Sequence, residues 1–319
     1  MTMKSIVRIV CVALTLVACS NAATPTGTPA FGDPLSNQVP VHQDNGQPHT
    51  HLDPSQATAD MQIALVASEL ILGPNRFSVG LLDPKGQPIR EASVHFHYYD
   101  LVNPSSPTVE SETDAVRRQS PDGLTVIFAH EREFKRAGDW GLEVQAKFAD
   151  GTASIKRIGF RVVASSPTVK PGQKAPSVET PTVASAKNDL STITSAPQPN
   201  PAFYELSLAK ALGNGKPTAL LFATPAFCQT RFCGPMYDVT SELQKLYAGK
   251  ANFVHVEVFT GLPNPASNNW QLAPAMGSFG LTTEPWLFLI KRDGTVAFRV
   301  EGLFMADEVE PHLKALIGN

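Results

Sequence analysis

Two polar stretches rich in proline divide this chain of 319 residues and limit how it can fold. They cover residues 19–57 and 166–200, and neither shows a periodic pattern of apolar residues. Such segments bury too little apolar surface to fold alone, and they typically act as tethers or linkers. The packed regions are therefore residues 58–165 and 201–319, and each is long enough for one domain.

The N-terminus has the features of a secretion signal. Lys4 and Arg8 precede an apolar run that is too short to span a bilayer as a stable helix, which predicts a signal peptide over residues 1–18. The run ends in the sequence LVAC, which resembles the bacterial lipobox. The resemblance implies that Cys19 is lipidated and anchors the chain to the extracytoplasmic face of a cell membrane. An ordinary cleavable signal with a coincidental cysteine is the alternative.

The charge of the chain argues against a nucleic-acid partner. Charged residues make up 17% of the sequence, and the formal net charge is -3. Proteins that bind nucleic acid typically present a basic face to the phosphates. The sequence has no excess of basic residues, and we therefore expect no nucleic acid among its partners.

The first packed region has the pattern of an all-β domain. Short runs rich in Val, Ile, Phe and Tyr alternate with turn signals such as Asp-Gly, which predicts antiparallel strands. Six or seven short strands over about 100 residues are typical of an immunoglobulin-like sandwich. The predicted strands lie at residues 63–68, 76–82, 92–99, 124–128, 141–148 and 154–163.

The third predicted strand carries two histidines on one face. Alternation places His95 and His97 on the face opposite to Phe96. A solvated polar face is the favoured interpretation, and a pair of metal ligands is the alternative. We assign the domain a role in binding or spacing rather than in catalysis. Three further histidines lie in the tether, where we expect them to bind no metal: His42, His49 and His51.

The second packed region alternates helix and strand patterns. A continuous apolar run, Thr218–Ala223, predicts a strand buried on both faces, and Cys228 and Cys233 follow it. Apolar residues at helical spacing then predict a helix that starts near Cys233 or Gly234, and Pro235 suits its first turn. The other predicted elements are helices at residues 202–212 and 307–317 and strands at residues 253–259, 286–290 and 296–300.

This order of elements, with two cysteines between the first buried strand and the next helix, resembles the thioredoxin fold over residues 203–318. A second match is the sequence TEPW, which places Pro285 directly before a strand. The resemblance implies that Cys228 is the exposed nucleophile, Cys233 the resolving thiol and Pro285 a peptide-binding cis-proline. A helix N-terminus favours a thiolate, which suits such a site. In the linker, the sequence GQKAP resembles the lead-in to extracytoplasmic thioredoxin-like domains, which implies packing on the second domain.

Three features depart from the family pattern. Four residues rather than two separate the cysteines, and residues five apart point about 140° away from each other on a helix, so a disulfide requires a loop between them. Phe227 replaces the usual tryptophan, and Glu284 before Pro285 would oppose a nearby thiolate. We therefore predict a less acidic nucleophile, and a reductase or an enzyme with a narrow partner rather than a general oxidant.

The number of cysteines supports a redox role. Cys11 leaves with the signal peptide and Cys19 would carry lipid, so Cys228 and Cys233 remain, and in an oxidising compartment they should form a disulfide. We predict a membrane-anchored extracytoplasmic thiol-disulfide oxidoreductase that needs no cofactor. Its expected partners are extracytoplasmic protein thiols or a membrane electron donor.

Two other functions are alternatives. The domain also resembles the thioredoxin-like copper chaperones of respiratory oxidase assembly, which bind copper through two cysteines and a distant histidine. Here the candidate ligands are Cys228, Cys233 and His255, with His312 a poorer choice, and soft thiolates suit Cu(I). Alternatively, the cysteines form a structural disulfide in a non-catalytic binding module, where their small loop stabilises the fold modestly. The long connection at residues 259–281 is either a partner-selecting lid or a surface insertion.

Overall fold

The computed structural model describes the chain in five parts: residues 52, 54–103, 107–228, 231–262 and 270–318. The predicted signal peptide, Cys19 and the three tether histidines lie outside these residues, so the lipid anchor stays a prediction. None of the helices in the described parts is long and apolar enough to cross a lipid bilayer.

Within the described residues, the N-terminal domain is a sandwich of two four-stranded sheets. Its strands are β1 Gln62–Leu65, β2 Gly73–Leu82, β3 Ala92–Asp100, β4 Thr108–Asp114, β5 Val116–Gln119, β6 Val126–Phe134, β7 Gly138–Phe148 and β8 Ala153–Val162. All neighbouring strands are antiparallel, in the orders β1-β2-β6-β5 and β4-β3-β7-β8. Residues from both sheets share one apolar core, and the predicted β-sandwich is confirmed.

Aromatic side chains from both sheets fill this core. The Phe77 ring on β2 lies edge-on to Phe96 and Tyr98 of β3, with ring centroids 6.0 and 5.3 Å apart. Trp140 on β7 is also buried, and its indole N–H donates to the Arg136 carbonyl oxygen at 3.2 Å. Each such aromatic pair contributes about 0.5–1.5 kcal/mol beyond the area it buries, so these rings hold the two sheets together.

The structure contains two strands that were not predicted, and they change the surroundings of β3. All six predicted strands are present. Strands β4 and β5 were not predicted because their sequences, TVESETD and VRRQ, are mostly polar. The expectation of a solvated face on β3 is wrong, since His97 and Tyr99 are buried. Strands β4 and β7 flank β3 on either side, and their carboxylates at Glu112 and Glu143 lie against the His97 ring.

The C-terminal domain is built from alternating strands and helices. In the described residues these are β9 Thr218–Ala223, β10 Asn252–Glu257, β11 Phe259–Thr260, β12 Gln271–Leu272, β13 Trp286–Ile290 and β14 Val296–Glu301, with helices α1 Leu208–Leu212, α2 Cys233–Leu246, α3 Pro274–Ser278 and α4 Ala306–Gly318. The main sheet has the order β10-β9-β13-β14, in which β9 and β10 are parallel and β13 and β14 antiparallel. This is the strand order and direction of a thioredoxin-like fold, and that prediction is confirmed.

Most elements of this domain lie where the sequence predicts them. Strands β9 and β13 have the predicted bounds because both are apolar runs buried along their whole length. The helix predicted at residues 202–212 is instead a 3₁₀ turn, Pro201–Tyr204, followed by α1. Ser207 separates the two, since its hydroxyl oxygen accepts from the Lys210 N–H and caps α1.

Residues 166–200, expected to link the two domains, pack against the second one. Val169 and Ala196 are buried, and the Ala175 N–H donates to the Gly294 carbonyl oxygen at 2.9 Å. The implied packing of the GQKAP sequence is therefore confirmed, and the expectation of a free tether is wrong. A few apolar side chains suffice for this packing because the α/β domain supplies the surface that covers them.

The sandwich docks on the α/β domain. Arg76 on β2 and Glu308 on α4 form a largely buried ion pair at 2.7 Å. Ser68 Oγ lies 3.2 Å from Thr283 Oγ1, in the loop before β13. Ile127 on β6 belongs to an apolar cluster that consists mainly of residues of the α/β domain. Charged, polar and apolar contacts thus all cross the boundary between the two domains.

Candidate functional site

The two cysteines lie where β9 ends and α2 begins. Every residue of β9 is buried, and the chain leaves this strand at Ala223 and reaches Cys228. Helix α2 starts at Cys233, so a loop joins the cysteines, as their spacing predicts. Residues 229–230 of this loop lie outside the described part. Arg231 has a φ of 62°, the left-handed conformation that tight turns use.

Cys228 and Cys233 form a disulfide with their Cα atoms 5.9 Å apart. Cys228 is half-buried, whereas Cys233 is buried in the apolar core of the domain. A reagent from solvent therefore reaches the sulfur of Cys228 more easily than that of Cys233. This difference in exposure favours the implied order, in which Cys228 reacts first, although that order stays a prediction.

The start of α2 favours negative charge on a nearby sulfur. Phe232, the residue before Cys233, makes no capping hydrogen bond through its side chain. The first N–H groups of a helix have no partner within the helix, and with the helix dipole they stabilise an anion. Pro235 has no N–H to leave unpaired in this turn, which is why proline is tolerated there.

A carboxylate and a cis-proline complete the thiol site, which we define as Cys228, Cys233, Glu284 and Pro285. The Glu284–Pro285 peptide bond is cis, as the resemblance implies. A carboxylate oxygen of Glu284 and the two sulfur atoms all lie within 4.8 Å of one another. Burial raises the pKa of Glu284 above its usual range. A proton on this carboxyl removes the repulsion that an ionised Glu284 would exert on a thiolate.

A second buried carboxylate supports the loop that carries Cys228. Glu257, the last residue of β10, accepts hydrogen bonds at Oε2 from the backbone N–H of Ser195 at 2.7 Å and from its hydroxyl at 3.0 Å. The Ser195 hydroxyl oxygen in turn accepts from the Ala226 N–H at 3.1 Å. Burial raises the pKa of Glu257 to about 7. This carboxyl therefore changes charge near neutral pH, two hydrogen bonds away from the thiol loop.

Sequence analysis missed both Glu257 and Ser195. The signal for Glu257 was a single acid in the otherwise apolar run FVHVEV, since a charge among buried positions requires partners. Ser195 gave no signal because it lies in the stretch interpreted as a linker, where serine is common. The structure shows that this stretch contributes a side chain to the surroundings of the site.

His255, the candidate third copper ligand, makes hydrogen bonds through both ring nitrogens. Its Nδ1 lies 2.7 Å from the Tyr204 hydroxyl and its Nε2 2.9 Å from the Ala223 carbonyl oxygen. Burial lowers the pKa of His255 to about 4, so the ring is neutral at physiological pH. Coordination of copper would break one of these hydrogen bonds. In the described residues, the group that the structure places with the sulfurs is Glu284, while His312 stacks on Phe298.

Aromatic rings from the long connection lie against the residue before Cys228. The Phe227 ring lies 4.8 Å from Trp270, and Trp270 lies 5.3 Å from Phe259. The connection forms the short hairpin of β11 and β12 and then α3. Residues 263–269 lie outside the described part, but Trp270 shows that this connection borders the thiol site.

Comparisons with known proteins found similarity only to solved structures, and only with low scores. No protein-family model and no curated protein matches the sequence. A thiol:disulfide interchange protein of the thioredoxin family from Chlorobium tepidum TLS is similar to 47% of this chain over 99% of its own, with 19% identity and a TM-score of 0.30. The soluble domain of PmoD from Methylocystis covers 33% of the chain over 92% of its own, with 16% identity and a TM-score of 0.23. CopC from Methylosinus trichosporium OB3b covers 32% over 95% of its own, with 12% identity and a TM-score of 0.23.

Scores this low carry no argument about function. The thioredoxin-like assignment therefore rests on the strand order of the main sheet and on the position of the cysteines between β9 and α2. These features show a fold and a cysteine pair at disulfide distance.

Proposed function

We propose that the chain is a thiol-disulfide oxidoreductase that exchanges electrons through Cys228 and Cys233. The observation that carries this proposal is the disulfide between a half-buried and a buried sulfur at the start of α2, next to the cis peptide bond of Pro285. A purely structural disulfide gains nothing from that position. An exchanging disulfide gains access for one sulfur, stabilisation of a thiolate by the helix, and protection of the second sulfur.

The proposed reaction transfers two electrons. In the reduced chain, the Cys228 thiolate attacks a disulfide of a partner protein, which forms a mixed disulfide and releases one partner thiolate. The Cys233 thiolate then attacks the sulfur of Cys228, which forms the Cys228–Cys233 disulfide and releases the second partner thiolate. The partner is reduced to a dithiol, and a dithiol donor on the same side of the membrane reduces the chain again.

The half-buried carboxyl group of Glu284 supplies a place for the proton of the resolving thiol. Cys233 must lose a proton before it attacks, and Glu284 lies within 4.8 Å of both sulfurs. A carboxyl group with a raised pKa accepts a proton near neutral pH more readily than an ordinary glutamate does. We assign this proton transfer to Glu284, and we assign to Glu257 the support of the loop through Ser195 and Ala226.

The direction that we propose is reduction of partner disulfides. Strong oxidants of this class are oxidising because their reduced form is stabilised as a thiolate. Here a carboxyl beside the sulfurs opposes that stabilisation once it ionises, so the disulfide form is favoured. The proposal also includes the lipid anchor at Cys19 and an extracytoplasmic location, both of which rest on residues 1–19 of the sequence alone.

Redox titration of the purified full chain tests the proposal. The chain is equilibrated with mixtures of reduced and oxidised dithiothreitol, thiols are trapped by alkylation, and peptide mapping separates Cys228 and Cys233 from Cys11 and Cys19. We expect a reversible two-electron couple closer to the value of thioredoxin, about −270 mV, than to that of DsbA, about −120 mV. A disulfide that resists reduction until the chain unfolds would instead be structural.

A pair of single variants tests the order of attack. Cys233→Ser should accumulate a mixed disulfide with oxidised glutathione at Cys228, because no resolving thiol remains. Its matched control, Cys228→Ser, should form this adduct far more slowly since Cys233 is buried. Competition for Cu(I) on the same reduced chain covers the alternative, because tight binding of one copper ion would assign the chain to the copper chaperones.

A further inference from the structure

Two histidines and a glutamate form a second group of side chains, in the sandwich. His95 and His97 lie on β3 and Glu112 on the neighbouring strand β4, and one coordinating atom of each lies within 4.8 Å of the other two. Their side chains are 14%, 0% and 33% exposed. We propose that this group, named here the histidine site, binds a divalent transition-metal ion, Zn²⁺ or Cu²⁺. The proposal is independent of the redox function of the thiol site.

A carboxylate lies beside the Nδ1 of each imidazole ring, and that of Asp114 is hydrogen-bonded to His95. The Nδ1 of His95 lies 2.7 Å from Asp114 Oδ1, and the Nδ1 of His97 lies 3.4 Å from Glu143 Oε1. A ligating histidine in proteins usually donates its other ring N–H to a carboxylate or a carbonyl, which fixes the tautomer and the ring. With a proton on its Nδ1, each ring would coordinate a metal ion through Nε2.

The contact between His97 and Glu112 has the spacing of two metal ligands. Nε2 of His97 lies 3.3 Å from Oε2 of Glu112. An imidazole electron pair and a carboxylate repel each other unless a cation lies between them. A zinc ion with ligands at about 2.0–2.1 Å in a tetrahedral arrangement places those ligands about 3.3–3.4 Å apart. The observed separation therefore fits a shared metal ion, and without an ion an N–H at Nε2 of His97 would donate to Glu112 across the same distance.

The charges around the site favour a dication. Arg157 forms an ion pair with Glu143 at 2.7 Å, which neutralises the charge of that carboxylate. The carboxylates of Glu112 and Asp114 then leave the surroundings of the site with a net negative charge.

The donor set selects the class of metal. Two imidazole nitrogens and one carboxylate oxygen suit Zn²⁺ and Cu²⁺, whereas Ca²⁺ and Mg²⁺ prefer oxygen ligands alone. His95 also lines a surface cavity of about 510 Å³, together with Asp114, Gln145 and Leu52. This cavity gives an ion a path from solvent to the ring of His95.

Metal titration of the full chain tests the proposal. The chain is kept oxidised and its remaining thiols are alkylated, so that cysteines do not compete, and Zn²⁺ affinity is measured against a chromophoric chelator. We expect one tightly bound zinc ion. Replacement of a ligand in His95→Gln or Glu112→Gln should weaken binding by more than about 100-fold, and Asp114→Asn, which disturbs only ring orientation, by about 10–100-fold. Circular dichroism confirms that each variant is folded.

The control is His312→Ala, which removes a histidine on α4 and should leave the affinity unchanged. A parallel titration with Cu²⁺, followed by electron paramagnetic resonance, should show hyperfine coupling to two imidazole nitrogens in the parent chain and to one in His95→Gln. Failure of the chain to retain either ion overturns the proposal. Unchanged affinity in both His95→Gln and Glu112→Gln also overturns it, because the ion would then be held by other groups such as His42, His49 or His51.

Discussion

The thiol site and the histidine site both place carboxylates beside reactive side chains, but the two sites lie in different kinds of structure. In the first, Cys228 and Cys233 are five residues apart and lie at the two ends of the loop between β9 and α2, with Glu284 brought to them by the cis-proline loop. In the second, His97 faces Glu112 and Glu143 across the sheet, in the middle of three paired strands. A loop lets a disulfide open and close with little strain on the fold, whereas a strand holds its ligands at fixed spacing.

The carboxylates of the two sites also differ in charge. Near the thiols, burial raises the pKa of Glu257 and of Glu284. Beside His97, hydrogen bonds from Gln145 and Arg157 and the charge of Arg157 hold the pKa of Glu143 low despite its burial. The thiol site is thus built to hold a proton, and the histidine site is built to hold negative charge. Substitutions at these carboxylates test that contrast.

The largest expected effect comes from removal of Glu143. Glu143→Ala leaves the Arg157 charge without its partner and removes the group that orients His97. We expect the free energy of unfolding to fall by at most about 3–5 kcal/mol, because loss of one partner leaves the partly buried charge of the other uncompensated. Urea unfolding of the full chain, followed by tryptophan fluorescence and circular dichroism, measures this loss.

The matched control for that variant is Glu91→Ala. Glu91 also pairs with an arginine, Arg117, but it lies on the surface. Exposed ion pairs contribute about 0–1 kcal/mol, so the control should unfold almost like the parent chain. Equal losses in the two variants would show that the carboxylate in the sheet is no more important than one in solvent.

The next effect is a dependence on pH that Glu257→Gln should remove. The pKa of Glu257 is about 7 in the folded chain and about 4.5 when unfolded, so the folded state retains a proton that the unfolded state releases. The contribution of Glu257 to stability is therefore greatest below pH 4.5 and is lost as the pH rises towards 7. The loss is on the order of 3 kcal/mol.

Unfolding of the parent and of Glu257→Gln at pH 5 and pH 8 measures this effect. The variant should be less sensitive to pH than the parent, since an amide cannot ionise and can still accept from Ser195. Glu242→Gln, an exposed position on α2, is the control and should follow the parent at both pH values. Identical pH profiles for parent and Glu257→Gln would mean that Glu257 is already ionised in the folded chain.

The smallest effect concerns access to the thiol site. Phe227→Ala removes the ring next to Cys228 in the chain that contacts Trp270, a contact worth about 0.5–1.5 kcal/mol. We expect the disulfide to be reduced severalfold faster by dithiothreitol in stopped-flow measurements. Leu246→Ala, which removes an exposed apolar side chain at the end of α2, should leave this rate unchanged. A rate that stays the same in Phe227→Ala would show that the aromatic contact does not limit access.

The sequence predicts the thiol site better than the histidine site for a physical reason. Cys228, Cys233 and Pro285 lie at the ends of apolar runs that are buried on both faces, and such runs are recognisable without knowledge of their neighbours. Pairing of His97 with Glu112 depends instead on β4, whose residues are polar. A polar edge strand has no local signal, and its register with β3 is a property of the folded sheet.

The same reason explains the linker. Residues 166–200 have the composition of a tether, and only the surface of the α/β domain makes burial of Val169 and Ala196 possible. Composition describes what a segment can do alone, and it carries no information about a surface that other residues supply. Ser195 and its hydrogen bond to Glu257 belong to this unpredictable part of the structure.

The apolar cluster shared by the two domains has a consequence for truncated forms of this protein. Residue 165 is a border in the sequence, but Ile127 and Ala129 on one side pack into the cluster that contains Leu303 and Phe304 on the other. A fragment that begins at residue 166 would expose part of that apolar cluster to solvent, and Glu308 would lose its ion pair with Arg76. Such a fragment should self-associate, and its redox behaviour would then report on the aggregate and not on the intact molecule.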